Sequence, residues 1–280
     1  MVTPEPATGT TTVEAATPRA DAEEIRQLAR TFQYDRYIAA LLLPRRHREA
    51  LIVLAAFAGE LQRIPVIVSE PMMAALRFQW WRDELMAAAA PNAGERRIGH
   101  PLCDAVMRVA RELRLPFGLL QGMLDAAEVE LDPTPLADAG ETRQLLTKFE
   151  GALFEIAGRI LGSAASRDVW QDAAMAYGGT RLAAELRQRQ AVGAQTYLSQ
   201  TCRDAESAFV VPASAALAEL RERFATFDRG TRGALLPLAT VPPLLCGVAS
   251  QNQQTDAINN SISDFARVRH ILWVHWRGRI

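Results

Sequence analysis

The sequence predicts an all-α fold in a single domain, and three observations lead to this prediction. From residue 21 onward, apolar residues recur every three or four positions, which is the spacing of an amphipathic helix. Good helix formers dominate, and only residues 66–68 resemble a strand. No repeat with a period of about 20 to 50 residues is present, and no linker or change in composition divides the chain. We therefore predict one compact helical domain.

The composition excludes several classes of protein. Of the 280 residues, 49% are hydrophobic and 22% are charged, and the formal net charge is −1. Such a chain is long and apolar enough to bury a core, which excludes disorder throughout. Its near-zero charge argues against a protein that binds polyanions over its whole surface, and no nucleic-acid partner is expected. Cys103, Cys202 and Cys246 lie far apart, and the four histidines are scattered, so we expect neither a disulfide framework nor a zinc site.

Residues 1–20 form the part of the chain that we expect to be a disordered tail, and residues 21–280 the helical domain. The tail is rich in Thr, Pro, Ala and Glu and has no apolar run. It resembles neither a secretory signal nor a mitochondrial presequence, so a cytoplasmic location is expected. The longest apolar stretch, 233–250, contains three prolines and is shorter than the roughly 20 residues of a membrane span. We interpret it as a kinked core helix.

About ten helices are predicted, with Asp21 and Ser166 as helix N-caps. Ser69 precedes a helix that carries Pro71 in its first turn. Proline and glycine residues indicate where the helices end. The predicted breaks are Pro44, 65–71, 91–99, Pro116, 133–135, Gly162, 192–193, Pro212 and 230–233.

Residues 34–86 carry a resemblance to a known family. They contain Leu-Leu-Pro at 42–44 followed by basic residues, an apolar helix with Ala-Phe at 56–57, Glu-Pro at 70–71 and Trp-Trp-Arg at 80–82. Later segments at 119–132, 149–162 and 175–200 continue the match in the same order. The chain resembles the squalene/phytoene synthase family over roughly residues 25–280. This resemblance implies the isoprenoid synthase helical bundle, with a central cavity where active members bind prenyl chains.

The resemblance also implies a test for catalysis. Active members condense two prenyl diphosphates and hold Mg²⁺ on aspartates of two facing helices, because a hard cation needs oxygen ligands. In this sequence, the first motif places Gln62, Arg63 and Val66 at its acidic positions, and the second places Gln188 at its first aspartate. We therefore predict a pseudoenzyme with no catalytic residues and no metal, for which no cofactor is expected.

One segment, 56–81, is similar to a non-catalytic branch of the family, the branch of the mitochondrial complex I assembly factor. In that branch a Glu-Leu pair follows in place of the aspartates. The residues that carry the match are Glu60, Leu61, Ser69, Glu70, Arg77, Gln79 and Trp81. This resemblance implies that respiratory complex I subunits or assembly intermediates are partners. It also leaves open a bound lipid or isoprenoid, and a peripheral contact with the inner membrane.

Several acidic residues are candidates for a residual ligand site. Glu60 lies one turn before the vacated motif and would contact a metal or a substrate or, the interpretation we prefer, have a capping role or belong to a buried pair. Asp83 and Glu84 diverge by about 100° on a helix, so at most one faces inward, and a solvated face or an arginine partner is the preferred interpretation. Three further acids share one helix face, for which solvation is preferred. They are Asp125, Glu128 and Asp132.

Arginines are the other candidate contacts. Arg45 and Arg46, beside His47 and Arg48, form a basic cluster that would grip a phosphate group or lie solvated in a first helical turn. Arg187, with Arg189 and Arg181, would form an anion site that needs no metal. The C-terminal segment 273–280 is rich in Trp and Arg, and either packs as a last helix or contacts a membrane interface.

The sequence and its resemblance leave three hypotheses for the function of the protein. The leading hypothesis is a non-catalytic assembly factor for respiratory complex I. The alternative is a divergent head-to-head prenyl transferase, for which Mg²⁺ would be recruited by displaced carboxylates. The third is a lipid or isoprenoid carrier without an assembly role.

Overall fold

The protein is a bundle of α-helices, described here from a computed structural model for residues 18–68, 70–90, 98–131, 139–191, 206–250 and 263–280. Every regular element in these residues is helical, which confirms the predicted fold class. The α-helices are α1 (Pro18–Phe32), α2 (Tyr34–Leu42), α3 (Arg45–Ile67), α4 (Pro71–Ala89), α5 (Pro101–Glu112), α6 (Phe117–Glu128), α7 (Ala139–Leu146), α8 (Ala152–Ile160), α9 (Arg167–Ala174), α10 (Thr180–Ala191), α11 (Val211–Arg223), α12 (Arg229–Ala234), α13 (Val241–Ser250) and α14 (Asp264–Arg277).

Helix α3 is the central helix of the bundle. It packs against α1, α2, α5 and α8, and its middle, from Leu51 to Leu61, is buried without interruption. It is long and apolar enough to cross a membrane, but 67% of its most apolar window is buried inside the protein. Its hydrophobicity is therefore that of a core helix surrounded by other helices.

Two π-helical turns join consecutive helices near the centre of the bundle. Thr147–Gly151 joins α7 to α8, and Met175–Gly179 joins α9 to α10. A π turn adds one residue to a helical turn and so changes the direction of the side chains around it. Glu150 and Tyr177 lie in these two turns and are both buried.

Three predicted helix breaks are wrong in detail. Pro65 lies inside α3, which continues for two residues beyond it. Pro212 lies in the first turn of α11, where its missing N–H costs no hydrogen bond, and a π turn precedes it. Residues 230–233 lie within α12.

The glycines of α12 explain the third error. A Cβ on Gly230 would lie 2.7 Å from the carbonyl oxygen of Leu161, and one on Gly233 would lie 2.9 Å from Cδ2 of Leu43. These glycines therefore allow close helix packing rather than ending a helix. The segment 233–250, predicted as one kinked helix, comprises the end of α12, a 3₁₀ turn at Leu236–Thr240 and α13.

The predicted helix starts are partly correct. Pro71 lies in the first turn of α4, as predicted, but Asp21 lies inside the first turn of α1, because that helix begins at Pro18. Ser166 is the N-cap residue of α9, although its hydroxyl donates to Asp168 instead of capping the backbone. Ser69 and most of the predicted tail, residues 1–17, lie outside the described residues.

Candidate functional site

An ion pair between two buried side chains lies in the middle of the bundle. The guanidinium of Arg36, in α2, donates through Nη2 to Oε2 of Glu150. Its other terminal nitrogen, Nη1, donates to Oε1 of Gln33 at 2.7 Å. The rings of Phe154 and Tyr177 cover the guanidinium, with their centroids 5.1 and 4.5 Å from Cζ. Arg36 is thus held by charge, hydrogen bonds and aromatic contacts together.

A second buried carboxylate, Asp35, joins four parts of the fold. Its Oδ2 accepts hydrogen bonds from the Tyr177 hydroxyl and from Oγ1 of Thr240, each at 3.0 Å. Its Oδ1 lies 3.3 Å from Nη1 of Arg267 in α14. Because a buried charge is costly without partners, these three contacts account for the presence of Asp35 in the core.

We call this group of side chains the polar centre. Its members are Asp35, Arg36, Glu150, Tyr177, Thr240 and Arg267.

Tyr177 remains protonated at neutral pH. Its burial raises the pKa of the phenol to about 12, and the nearby Asp35 carboxylate acts in the same direction. The hydroxyl therefore donates to Asp35 and at the same time accepts a hydrogen bond from Nη1 of Arg181 at 3.0 Å. The Arg181 guanidinium also lies over the Tyr177 ring. Unlike Tyr177, Arg181 is exposed.

The close approach of the two π turns depends on a glycine. A Cβ on Gly178 would lie 2.9 Å from Cγ of Glu150. Any larger residue would push Glu150 away from Arg36. The pair Gly178–Gly179 therefore serves packing at the polar centre.

Of the three positions that the sequence analysis assigns to the acidic residues of the first motif, only Gln62 is linked to this centre, through Gln33. Oε1 of Gln62 accepts a hydrogen bond from Nε2 of Gln33 at 2.5 Å, and Gln33 in turn contacts Arg36. Arg63 pairs with Glu60, and Val66 is 76% exposed. A chain of hydrogen bonds thus runs from Gln62 through Gln33 and Arg36 to Glu150.

Glu60 belongs to a buried ion pair, one of the two roles preferred for it in the sequence analysis. Its carboxylate is almost fully buried, Nε of Arg63 donates to Oε2, and Nη2 of Arg77 lies 2.9 Å from Oε1. Both arginines are only partly buried and bring their charge in from the protein surface. Glu60 therefore links α3 to α4.

Asp83 lies on the surface, whereas the adjacent Glu84 is partly buried. Asp83 is exposed and accepts a hydrogen bond from Nε2 of Gln79 at 2.7 Å. Arg82 bridges Asp125 and Glu128 of α6, at 2.9 and 2.7 Å, and these carboxylates raise the pKa of its guanidinium. The acidic face at 125–128 thus joins α4 to α6, and Asp132 lies outside the described residues.

The predicted basic cluster divides into two roles. Arg45 and Arg46 are exposed at the start of α3, and Nε of Arg46 lies 2.8 Å from Nε2 of His47. Partial burial and then Arg46 lower the pKa of His47, so this imidazole is neutral at pH 7. Arg48 instead donates to the carbonyl oxygen of Leu41 at 2.6 Å, at the end of α2. Arg187 and Gln188 lie in α10, but their side chains are outside the described residues.

A small cavity adjoins the polar centre. It has a volume of about 30 Å³ and lies between α2, α3, α8 and α12, with Arg36 and Phe154 at one wall. Apart from Arg36, its lining is apolar. A volume of this size holds about two water molecules, so a prenyl chain does not fit into this cavity as it stands. This narrow cavity lies beside the polar centre, and a central cavity that binds a prenyl chain stays a prediction.

Comparison with known proteins identifies the family to which this helical bundle belongs. A model of the squalene/phytoene synthase family matches residues 29–201. The chain belongs to the squalene/phytoene synthase family. The fold agrees with two solved structures, which at this level of identity show the fold alone. Squalene synthase HpnC from Alicyclobacillus acidocaldarius is 16% identical, with a TM-score of 0.64, over 84% of this chain and 95% of that one. A dehydrosqualene synthase in complex with ligand is 17% identical, with a TM-score of 0.66, over 93% and 97%.

Curated relatives within the same family carry a different name. NADH dehydrogenase (ubiquinone) complex I, assembly factor 6, from Bos taurus is 27% identical over 136 residues, and the Homo sapiens protein is 26% identical over the same length. The match covers 49% of this chain and 40% of each relative. The matched region is therefore less than half of the length of these assembly factors.

The side chains of the polar centre do not fit the magnesium site that the squalene/phytoene synthase family implies. Asp35 and Glu150 are its carboxylates, and each already pairs with an arginine. Within the polar centre, Arg36 and Arg267 balance the two carboxylates, and Arg181, which contacts Tyr177 from outside this group, adds a third positive charge. Mg²⁺ requires carboxylate oxygens free to coordinate it. Among the residues that the structure describes, no three His, Cys, Asp or Glu side chains converge on one point.

The polar centre was missed by the sequence analysis. Asp35 and Arg36 are adjacent charges that precede an apolar run in α2, and Glu150 is an isolated acid between buried residues. Charges in otherwise apolar helix faces were the available signal, because such residues need partners once the helix is buried. Their pairing, across 114 residues for Arg36 and Glu150, is visible only in the fold.

Proposed function

We propose that this chain is a non-catalytic member of the squalene/phytoene synthase family that takes part in the assembly of respiratory complex I. Subunits or assembly intermediates of that complex would be its partners. The observation that carries the proposal is the Arg36–Glu150 ion pair at the centre of the bundle. The name of the curated relatives, complex I assembly factor 6, supports the assembly role.

The ion pair argues against diphosphate ionisation for an electrostatic reason. Departure of pyrophosphate from an allylic carbon needs cations that are free to take up the negative charge as it develops. Arg36 is buried, and its guanidinium is already committed to Glu150 and Gln33. Gln62, which the sequence analysis assigns to an acidic position of the first motif, is a neutral amide whose oxygen accepts a hydrogen bond from Gln33. These groups stabilise the bundle rather than a leaving group.

Binding of a lipid or isoprenoid is a separate part of the proposal. The cavity of about 30 Å³ next to Arg36 and Phe154 would have to open for a prenyl chain to enter. Mass spectrometry of the lipids that copurify with the protein tests this part directly. A bound isoprenoid together with normal complex I in a deletion strain would favour the carrier function instead.

The test of the assembly role uses a strain that lacks the gene in its own host. Complex I is measured by native gel electrophoresis and by NADH oxidation in isolated membranes, and succinate oxidation serves as the internal control. We expect a loss of complex I with unchanged succinate oxidation. Unchanged complex I in the deletion strain would overturn the proposal.

Complementation separates assembly from hidden catalysis. Asp83→Asn changes an exposed carboxylate that the alternative prenyl transferase would use to recruit metal. We expect this variant to restore complex I as fully as the wild type does. A variant that accumulates normally but fails to restore complex I would support the transferase.

A further inference from the structure

The last helix, α14, carries large apolar side chains on the face that points away from the bundle. Its inward face consists of Ile271 and Val274, which are buried against α2 and the 3₁₀ turn at 236–240. On the outward face, Phe265 is 77% exposed and Trp276 is 82% exposed. Leu272 and Trp273 are each about half exposed. The outward apolar residues are thus larger and more numerous than the inward ones, the reverse of an ordinary surface helix.

The exposed residues form a continuous stripe. Phe265, Arg269, Leu272 and Trp276 follow one another at intervals of four, three and four residues, which places them on one side of the helix. Trp273 widens this stripe, and the guanidinium of Arg277 lies 5.0 Å from the centroid of its ring. We call these six residues the α14 outer face.

The charge around the α14 outer face is positive. Arg269, Arg277 and Arg279 are exposed, and Asp264 is the acid of this helix, at its opposite end. Arg221 of α11 also reaches this end of the chain and donates to the carbonyl oxygen of Ile280 at 3.0 Å. The partial burial of His270 and the charge of Arg269 lower the pKa of that imidazole, so it is neutral at pH 7.

The position of α14 is fixed from the inside of the protein. Arg267 reaches inward to Oδ1 of Asp35, and the hydroxyl of Ser263 caps the helix by accepting from the Ala266 amide at 3.3 Å. The outer face is therefore presented by a folded, anchored helix and needs no ordering step before it binds.

We propose that the α14 outer face docks the protein on a lipid bilayer that contains anionic lipids. Tryptophan and arginine suit the boundary between headgroups and acyl chains, because an apolar ring enters the bilayer while a guanidinium pairs with phosphate. With 14 residues, α14 is too short to span a membrane and would lie in the plane of the interface. Pairing with a second copy would bring Arg269 and Arg277 of both copies together, which like-charge repulsion disfavours.

This inference does not depend on the assembly role. The net charge of −1 excludes attraction by the whole molecule, so the contact has to be a local one. The two experiments give independent answers. They distinguish a protein that docks on a bilayer without affecting complex I from a protein that affects complex I without docking.

The test is flotation of the purified full chain with lipid vesicles. One set contains phosphatidylcholine alone, and the other contains phosphatidylcholine with about one third phosphatidylglycerol. We expect flotation mainly with the anionic vesicles, weakened by added salt. The double variant Phe265→Ser/Trp276→Ser should bind at least about tenfold more weakly, because both rings leave the bilayer. Each of Arg269→Gln and Arg277→Gln should weaken binding to the anionic vesicles about fivefold.

Matched controls keep the proposal open to contradiction. Met72→Ser changes a side chain that is 76% exposed on α4, and Arg30→Gln changes an exposed arginine on α1. Neither control should alter flotation. Absence of flotation with anionic vesicles, or equal losses in the α14 variants and the controls, would overturn the proposal. The proposal would also be overturned if sedimentation analysis showed that the wild-type protein is a dimer and that the variant Phe265→Ser/Trp276→Ser is a monomer.

Discussion

The polar centre and the α14 outer face reverse the usual distribution of residues. The polar centre buries charges, Arg36 with Glu150 and Asp35 with Arg267, whereas the outer face of α14 exposes Phe265 and Trp276. The buried charges are satisfied by partners within the fold, so they serve to hold specific helices together. The exposed rings are held out from the fold, so they are available to something outside it. The buried charges thus stabilise the fold, whereas the exposed rings are available for contacts with other molecules.

The largest effect is expected when one partner of the central ion pair is removed. Arg36→Leu leaves Glu150 buried without its cation, which should lower the free energy of unfolding by about 3–5 kcal/mol. Urea unfolding measures this loss. The double variant Arg36→Leu/Glu150→Leu should lose less than the single variant, because no buried charge remains. If the single variant were as stable as the wild type, the polar centre would not have the structural role described here.

Asp35→Asn tests the connection between the polar centre and α14. It weakens the contact with Arg267 and should lower the free energy of unfolding by about 2 kcal/mol. The amides of α14 should then exchange hydrogen faster, as measured by mass spectrometry, while those of α5 exchange as before. Equal acceleration in both helices would show a general loss of stability without a specific link.

Tyr177 gives the polar centre a dependence on alkaline pH. Its pKa is about 12 in the folded protein against 10.0 for the ordinary phenol. The folded state therefore holds this proton more tightly, and the resulting stability is fully present below pH 10 and is lost as the pH rises to about 12. Tyr177→Phe should lower stability at neutral pH by about 1 kcal/mol, through loss of the hydrogen bond to Asp35. Compared with the wild type, its unfolding free energy should fall less steeply between pH 10 and 12. Equal slopes for both proteins in that range would rule out the raised pKa.

The smallest effect on stability is expected on the α14 outer face. Trp276→Ser should change the free energy of unfolding by less than about 0.5 kcal/mol, since its ring is largely exposed. Thermal unfolding without vesicles measures this change. A large loss of stability would mean that Trp276 packs on the protein, and it would remove the contrast with the polar centre.

The sequence was sufficient for the fold class and for the family, because periodicity and motif order are local properties. For Glu60 it left a capping role and a buried pair open, and the partners Arg63 and Arg77 are visible only in the fold. The sequence failed at Gly230 and Gly233, where glycine allows helices to approach closely instead of ending one. The Arg36–Glu150 pair could not be predicted, since its partners meet only after α2 and α8 have packed. The replacement of the metal-ligand residues at Gln62 and Gln188 stays a prediction from the sequence.

We expect that the bundle does not ionise prenyl diphosphates. The most direct test is pyrophosphate release by the purified protein from farnesyl and geranylgeranyl diphosphate, with and without Mg²⁺. We expect no magnesium-dependent release above that of a protein-free blank. Magnesium-dependent release that disappears in Glu60→Gln or Asp83→Asn, with both variants folded, would contradict this expectation and establish a prenyl transferase.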